Sequence, residues 1–182
     1  IPFINPYLEL NNGFSKNLIP IVYFIGGISS LWAGNYFGKQ SDKFGKFTIF
    51  NLCVILSLPV ILIITHISSI PFWATLPFFA IWYSSNTGRG VCANALVSNI
   101  IPQEQRGGFM SLNSCVQQLG TFTATLISGN IVETDTIGRI KNYSTLGYLS
   151  VAILIVSLVI AKYLFAQNKS FKIAFGIKSL ST

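Results

Sequence analysis

Charged side chains are scarce in this sequence. They make up 9% of its 182 residues, against about 25% in ordinary soluble domains. A water-soluble globule of this length needs far more polar surface, so that class is excluded. Acids are rarer than bases: five Asp and Glu stand against twelve Lys and Arg, for a net charge of +7. One His and five scattered carboxylates leave little material for a catalytic cluster. That argues against an enzyme, including a membrane-embedded transferase, which needs such groups gathered near one interface. Cysteine is sparse too. Cys53, Cys92 and Cys115 lie far apart inside apolar runs, with no CxxC and no Cys/His grouping. A disulfide framework and a metal site are therefore unsupported, no motif asks for a cofactor, and the thiols read as small packing residues.

What the chain has in abundance is apolar surface, at 51% of residues, and aromatic rings, at 14%. That composition excludes intrinsic disorder. A membrane helix needs about 20 apolar residues, because each rises about 1.5 Å across a hydrocarbon layer about 30 Å thick. Five stretches satisfy this, at about 18–37, 47–65, 71–101, 108–132 and 143–162; Arg89 is the one charge inside them apart from Lys162, which closes the last. Runs such as Val151 to Val156 show none of the alternation a barrel strand requires. The expected fold class is thus an all-α membrane protein with five transmembrane helices. Ile1 to Leu8 is too short to cross and reads as the outgoing end of a truncated sixth. The chain opens on Ile1, within an apolar stretch and without a basic leader, so we expect a piece of a longer protein.

The joints carry turn chemistry: Asn11-Asn12-Gly13, then Ser68, Ser69 and Pro71, then Pro102, and a longer connection from Thr134 to Asn142. Five crossings distribute the cations unevenly. Lys39, Lys43, Lys46, Arg106, Lys162, Lys169, Lys172 and Lys178 fall on one side, and Lys16, Arg139 and Lys141 on the other. The richer side is expected in the cytoplasm, with the carboxyl terminus. Topology then accounts for the positive charge, and a nucleic-acid partner has nothing left to explain. The half-bundle is expected over residues 1–166, followed by a basic tail over 167–182. In that tail Lys169, Lys172 and Lys178 alternate with Phe171, Ile173, Phe175 and Ile177. Two readings fit it: a segment lying on anionic lipid, or a solvated tail.

The joint after the first span reads Gly38-Lys-Gln-Ser-Asp42-Lys43-Phe-Gly45-Lys46. It resembles the signature loop G-x-x-x-D-[RK]-x-G-[RK] of the major facilitator superfamily of secondary transporters, at five positions and on the predicted cytoplasmic side. In physical terms Gly38 would let two helices approach closely. Asp42 would accept from a helix amino terminus or pair with a cation, and Gly45 would permit a tight turn. A plain charged loop with helix caps is the alternative reading of the same residues. Pro102-Gln-Glu104-Gln-Arg106-Gly107 is similar to a second loop of that family. The stretch from Asn94 through Met110 to Gly120 resembles the carboxyl-terminal half of bacterial sugar- and drug-efflux permeases, and no Gly-Pro motif follows Gly120. The resemblance implies one six-helix half of a twelve-helix bundle in the bacterial plasma membrane. Its partners would be the bilayer, a missing amino-terminal half and a small-molecule solute, which it would export by alternating access. The gate would be Gly38, Asp42, Lys43, Gly45 and Lys46, and the second cytoplasmic loop Pro102, Glu104, Arg106 and Gly107.

Arg89 is costly in a bilayer, about 2.5–3.5 kcal/mol on insertion scales, so it should face the bundle interior. One long helix through Gly88-Arg89-Gly90 is expected, rather than a break there. Arg89 reads equally as a substrate or coupling residue and as an internal strut. The fourth span carries Ser111, Ser114, Gln118, Thr121, Thr125 and Ser128 at helical spacing. Helix packing explains the small hydroxyls, whereas Gln117 and Gln118 also suit a wetted wall. With Asn113, these glutamines and Arg89 are the candidate substrate cavity. His66 and the tryptophans read as interfacial residues. The rival function is a non-transporting membrane interaction subunit or the product of a truncated gene.

Overall fold

The computed structural model describes residues 3–66, 71–98, 101–135 and 140–174. A short helical turn, α1 (Ile4–Pro6), runs into a π-helical turn over Tyr7–Asn11. Five long helices follow: α2 (Ile19–Phe44), α3 (Lys46–His66), α4 (Phe72–Ser98), α5 (Arg106–Ile131) and α6 (Tyr143–Ala174). Their lengths are 26, 21, 27, 26 and 32 residues. At about 1.5 Å per residue each is about 30 Å long or more. By length and composition, Lys46–His66 and the Tyr143–Tyr163 part of α6 are apolar enough to cross a membrane. The other three have the length but carry Gly, Ser, Thr and Asn that lower their apolarity.

The boundaries follow from local chemistry. Gly45 alone separates α2 from α3, at φ +93° and ψ 134°, a conformation costly for any residue with a Cβ. Pro20 sits in the first turn of α2, where its missing N–H removes no helical bond. Pro71 precedes α4, and its carbonyl accepts from the Ala74 N–H at 2.9 Å. The joint at Ser68 and Ser69 lies outside the described residues, as do Gly138 and Arg139. Helix α6 runs without interruption through residue 166 to Ala174, so the backbone is helical across the start of the expected tail. Lys178, Phe175 and Ile177 lie outside the described residues.

The connection between α5 and α6 holds a structure that a plain loop would not: β1 (Glu133–Thr134) pairs antiparallel with β2 (Ile140–Lys141). Asn11 clamps this hairpin. Its Nδ2 donates to the Ile140 carbonyl and its Oδ1 accepts from the Ile140 N–H, both at 2.8 Å. The side-chain amide thus acts as one more strand residue. Tyr7 stacks on Tyr143 with ring centroids 3.9 Å apart, and its hydroxyl donates to the Thr65 carbonyl at 3.2 Å.

Helix α4 is the hub, packed along α2 on one side and α3 on the other, while α6 packs on α3. Its buried face is split. Phe72, Thr75, Leu76 and Phe79 are buried in one half, and Ser85, Gly88 and Cys92 in the other. The six residues from Phe79 to Ser85 turn the helix by about 240°, so the two halves bury different faces. The first joins a cluster with Leu8, Val22, Val60, Ile64 and Tyr143. The second joins Ile49, Phe50, Cys53 and Val54.

Lipid tails are as apolar as leucine, so helices in a bilayer associate by close packing rather than by escape from water. Three glycines supply that closeness. A Cβ at Gly26 would strike the ring of Tyr83, and one at Gly147 would strike Thr65. At Gly88 it would lie 2.6 Å from Phe37 Cδ2 and 2.8 Å from Cys53 Sγ. Gly38, expected to let helices approach, does not have this role. A Cβ there meets only Val91 Cγ1, at 4.0 Å, which is ordinary contact. The helix axes have already separated enough at that level to leave room for a methyl group.

Helix α5 stands apart. No residue in it is buried, and among the described residues its main neighbours are the turn before it and a few positions of α6, with Asn94 of α4 bonded to it.

Candidate functional site

The signature loop occupies the last turn of α2, Gly45 and the start of α3. Ser41 is the residue of this loop that reaches the core, at 3% exposure. Its hydroxyl donates to the Gly38 carbonyl at 2.7 Å and lies against the Cys92 thiol of α4. The loop is therefore fastened to α4 through a position outside the five motif residues, and a lone small polar residue gave no sign of that in the sequence. Asp42 is exposed and forms no ion pair among the described residues. It sits in the closing turn of α2, where the helix dipole disfavours an anion, and just before the start of α3, where the dipole favours one. The Lys43 ammonium lies 5.3 Å from the Phe44 ring centroid.

In the second loop, Pro102 opens a 3-10 turn over Gln103–Gln105, closed by the Gln105 N–H donating to the Pro102 carbonyl at 3.1 Å. Arg106 and Gly107 then begin α5. Glu104 precedes that helix on the side where its dipole favours an anion. All four motif residues are exposed.

The four candidate cavity residues do not form one group. Helix α4 is continuous through Gly88, Arg89 and Gly90, as expected. Arg89 is half-buried, within electrostatic reach of Cys53, and its Nη2 donates to Asn86 Oδ1 at 2.7 Å. Asn113 and Gln117 are brought together elsewhere, by a residue absent from the candidate set. Asn113 Nδ2 and Gln117 Nε2 both donate to Asn94 Oδ1, at 3.3 Å and 3.4 Å. Asn94 follows Arg89 by five residues on α4, which is about 140° around the helix. Arg89 thus belongs to the side of α3 and the amides to the side of α5. Gln118 is exposed beside them. A signal for Asn94 was available: a carboxamide inside a predicted span tends to hydrogen-bond across to a neighbouring helix.

The polar stripe of α5 is present, but its hydroxyls bond within the helix. Ser114 donates to the Met110 carbonyl at 3.0 Å, and Thr121 and Thr125 to the carbonyls four residues earlier, each at 2.9 Å. Such bonds satisfy the donors without a neighbour, and these residues are exposed. Packing on another helix of this chain is therefore not their role. His66, read from the sequence as interfacial, joins α3 to α6. A carbonyl can only accept, so Nδ1 donates to Leu62 at 2.9 Å, while Nε2 is hydrogen-bonded with the Tyr148 hydroxyl at 3.1 Å.

No solved structure matches the chain. The family model of the Major Facilitator Superfamily matches residues 1–176, nearly the whole sequence. That family consists of membrane transporters and not of enzymes. With its helical bundle, its signature loop at the turn between α2 and α3, and this match over nearly its full length, the chain belongs to the Major Facilitator Superfamily and is an integral membrane protein of transporter type.

Proposed function

We propose that the chain is the carboxyl-terminal half of a twelve-helix secondary transporter that exports a small solute by alternating access. The observation that carries this reading is α5: a 26-residue helix with no buried residue and one polar face, joined to α4 through Asn94. A polar helix face left open in a lipid environment is unfavourable unless it meets another protein surface or a wetted path. An amino-terminal half packed across α5 supplies both, with the solute moving between the halves. On this reading α2 to α6 are five crossings, the gate comprises Gly38, Asp42, Lys43, Gly45 and Lys46, and Asn113, Gln117 and Gln118 face the solute path. Arg89 acts from the α3 side as a strut. The cation-rich joints favour a cytoplasmic carboxyl terminus, and the resemblance to bacterial efflux permeases supports a bacterial plasma membrane and export as the direction.

The test begins with sidedness. In the intact transporter carrying Cys115→Ser, since Cys115 is exposed, single cysteines at Gln40 and Gln105 should both react with an impermeant thiol reagent from the cytoplasmic side. Labelling from opposite sides defeats the five-crossing reading. Reconstitution in liposomes should then give saturable solute flux in the presence of both halves and none with either half alone.

A further inference from the structure

We propose that the stripe of α2 holding Trp32, Tyr36, Lys39 and Lys43 binds one anionic phospholipid of the phosphatidylglycerol type. The site needs the chain to lie in a membrane and is independent of which solute moves or in which direction. The first argument is register. At about 100° per residue the four side chains fall within about 60° of one another around α2, and Ile28 lies beside them. All five residues are exposed. Ala33 and Phe37 follow Trp32 and Tyr36 by one residue, about 100° round; Ala33 is buried and Phe37 meets Gly88 of α4. The stripe therefore flanks the packed face of α2. From Lys39 back to Ile28 is 11 residues, about 16 Å, close to one leaflet of a hydrocarbon layer about 30 Å thick. Trp32 lies about 10 Å inside Lys39, below the headgroup level at which tryptophans usually anchor. It is 69% exposed and stacked on Tyr36, with ring centroids 5.1 Å apart and planes 6° from parallel. Charge at one end and a flat aromatic wall along one leaflet match the length and polarity of a single phospholipid.

The second argument is charge. Lys39 and Lys43 stand four residues apart on a helix, an arrangement in which like charges repel. Among the described residues neither forms an ion pair; the Lys43 ammonium has the Phe44 ring at 5.3 Å. By contrast, Lys16 and Lys141, near the other end of the bundle, are paired with Glu9 and Asp135 at 3.1 Å and 3.2 Å. Asp42 precedes Lys43 by one residue, about 100° round and off the stripe. A phosphodiester between the two ammonium groups accepts from both and relieves their repulsion. A zwitterionic headgroup brings a cation of its own to the same place, so a lipid with net negative charge is selected.

The intact transporter, stripped of lipid in detergent, is titrated with phosphatidylglycerol and with phosphatidylcholine of the same chains, and bound lipid is counted by native mass spectrometry. Phosphatidylglycerol should bind more tightly. Lys39→Gln should weaken it about fivefold, and Lys39→Gln with Lys43→Gln about 25-fold, to the level of phosphatidylcholine. Lys39→Arg should keep the wild-type preference, and so should Lys16→Gln. Phosphatidylglycerol with brominated chains should quench the part of the tryptophan emission that Trp32→Phe removes. Glycerol 1-phosphate in excess should not displace the lipid; displacement would reduce the site to one for a free phosphate and overturn the proposal. Equal binding of phosphatidylglycerol by the wild type and the double variant also overturns it, and is the result expected if the missing half of the transporter covers this stripe. Emission from Trp32 that the brominated lipid leaves unquenched overturns it as well.

Discussion

Replacing Gly88 with alanine adds one methyl group where three helices meet. Its position is fixed by the backbone of α4: 2.6 Å from Phe37 Cδ2 on α2 and 2.8 Å from Cys53 Sγ on α3. Favourable contacts between such atoms lie at about 3.5–4.0 Å, so both are short by about 1 Å. Cys53 is fully buried, with Val54 and Cys92 beside it in the same cluster. The sulfur has nowhere to turn, and relief must come from shifting α2 or α3. Overpacking of this kind costs about 1–3 kcal/mol, here at the upper end. Alanine returns about 1 kcal/mol through its helix propensity. The net expectation is a loss of about 2 kcal/mol, a factor of about 30 in the unfolding equilibrium, since 1.4 kcal/mol is tenfold.

Gly90 provides the control. It lies two residues further along the same helix, and a Cβ there meets nothing within 4 Å. Gly90→Ala keeps the propensity gain without the clash, so the two substitutions should shift stability in opposite directions. The assay is thermal unfolding in detergent in a Cys115→Ser background, read by the reaction of a thiol dye with Cys53 and Cys92, which become reachable only when the bundle opens. Adding Cys53→Ala to Gly88→Ala should recover part of the loss, because it removes one of the two clashing atoms. If Gly88→Ala proves as stable as Gly90→Ala, the close approach of α4 to α2 and α3 is wrong.

Asp42→Asn should lower solute flux by the intact transporter at least tenfold while leaving its thermal midpoint within a degree or two, since Asp42 is exposed and forms no ion pair within the described residues. Flux at the wild-type rate would remove the gate assignment. Asn11→Ala deletes both hydrogen bonds to Ile140, each worth about 0.5–1.5 kcal/mol. Amide hydrogen exchange at Ile140 should therefore quicken roughly tenfold or more, with no change at Ile49; equal exchange at Ile140 in both proteins would show that the clamp does not hold the hairpin.

The elements were legible in the chain because lipid sorts residues by a property summed along it. Charges are excluded from long windows, so the runs around residues 18–37, 47–65 and 143–161 announce helices, and these coincide with α2, α3 and the first part of α6. The continuity of α4 through Arg89 could be argued the same way, from the length each half would have if it broke. Gly45 was also readable, because a glycine between two apolar runs has few other uses. Gly38 shows where such reading stops. In sequence it looks like Gly88, and the two differ only in what lies opposite them. The hairpin at β1 and β2 is similar: four residues pair because Asn11, more than a hundred positions away, completes their hydrogen bonds.

The site divides along the same line. Composition and window sums reached the class of molecule, the surrounding solvent and the placement of Asn113 and Gln117 on one helix, since each is a property of residues near one another in the chain. Which helix face meets which neighbour depends on rotation about each axis, and rotation is set by packing over the whole bundle. That is why Asn94 came to join the amides, why Arg89 was turned to another side, and why the polar stripe of α5 was left facing away from its own chain.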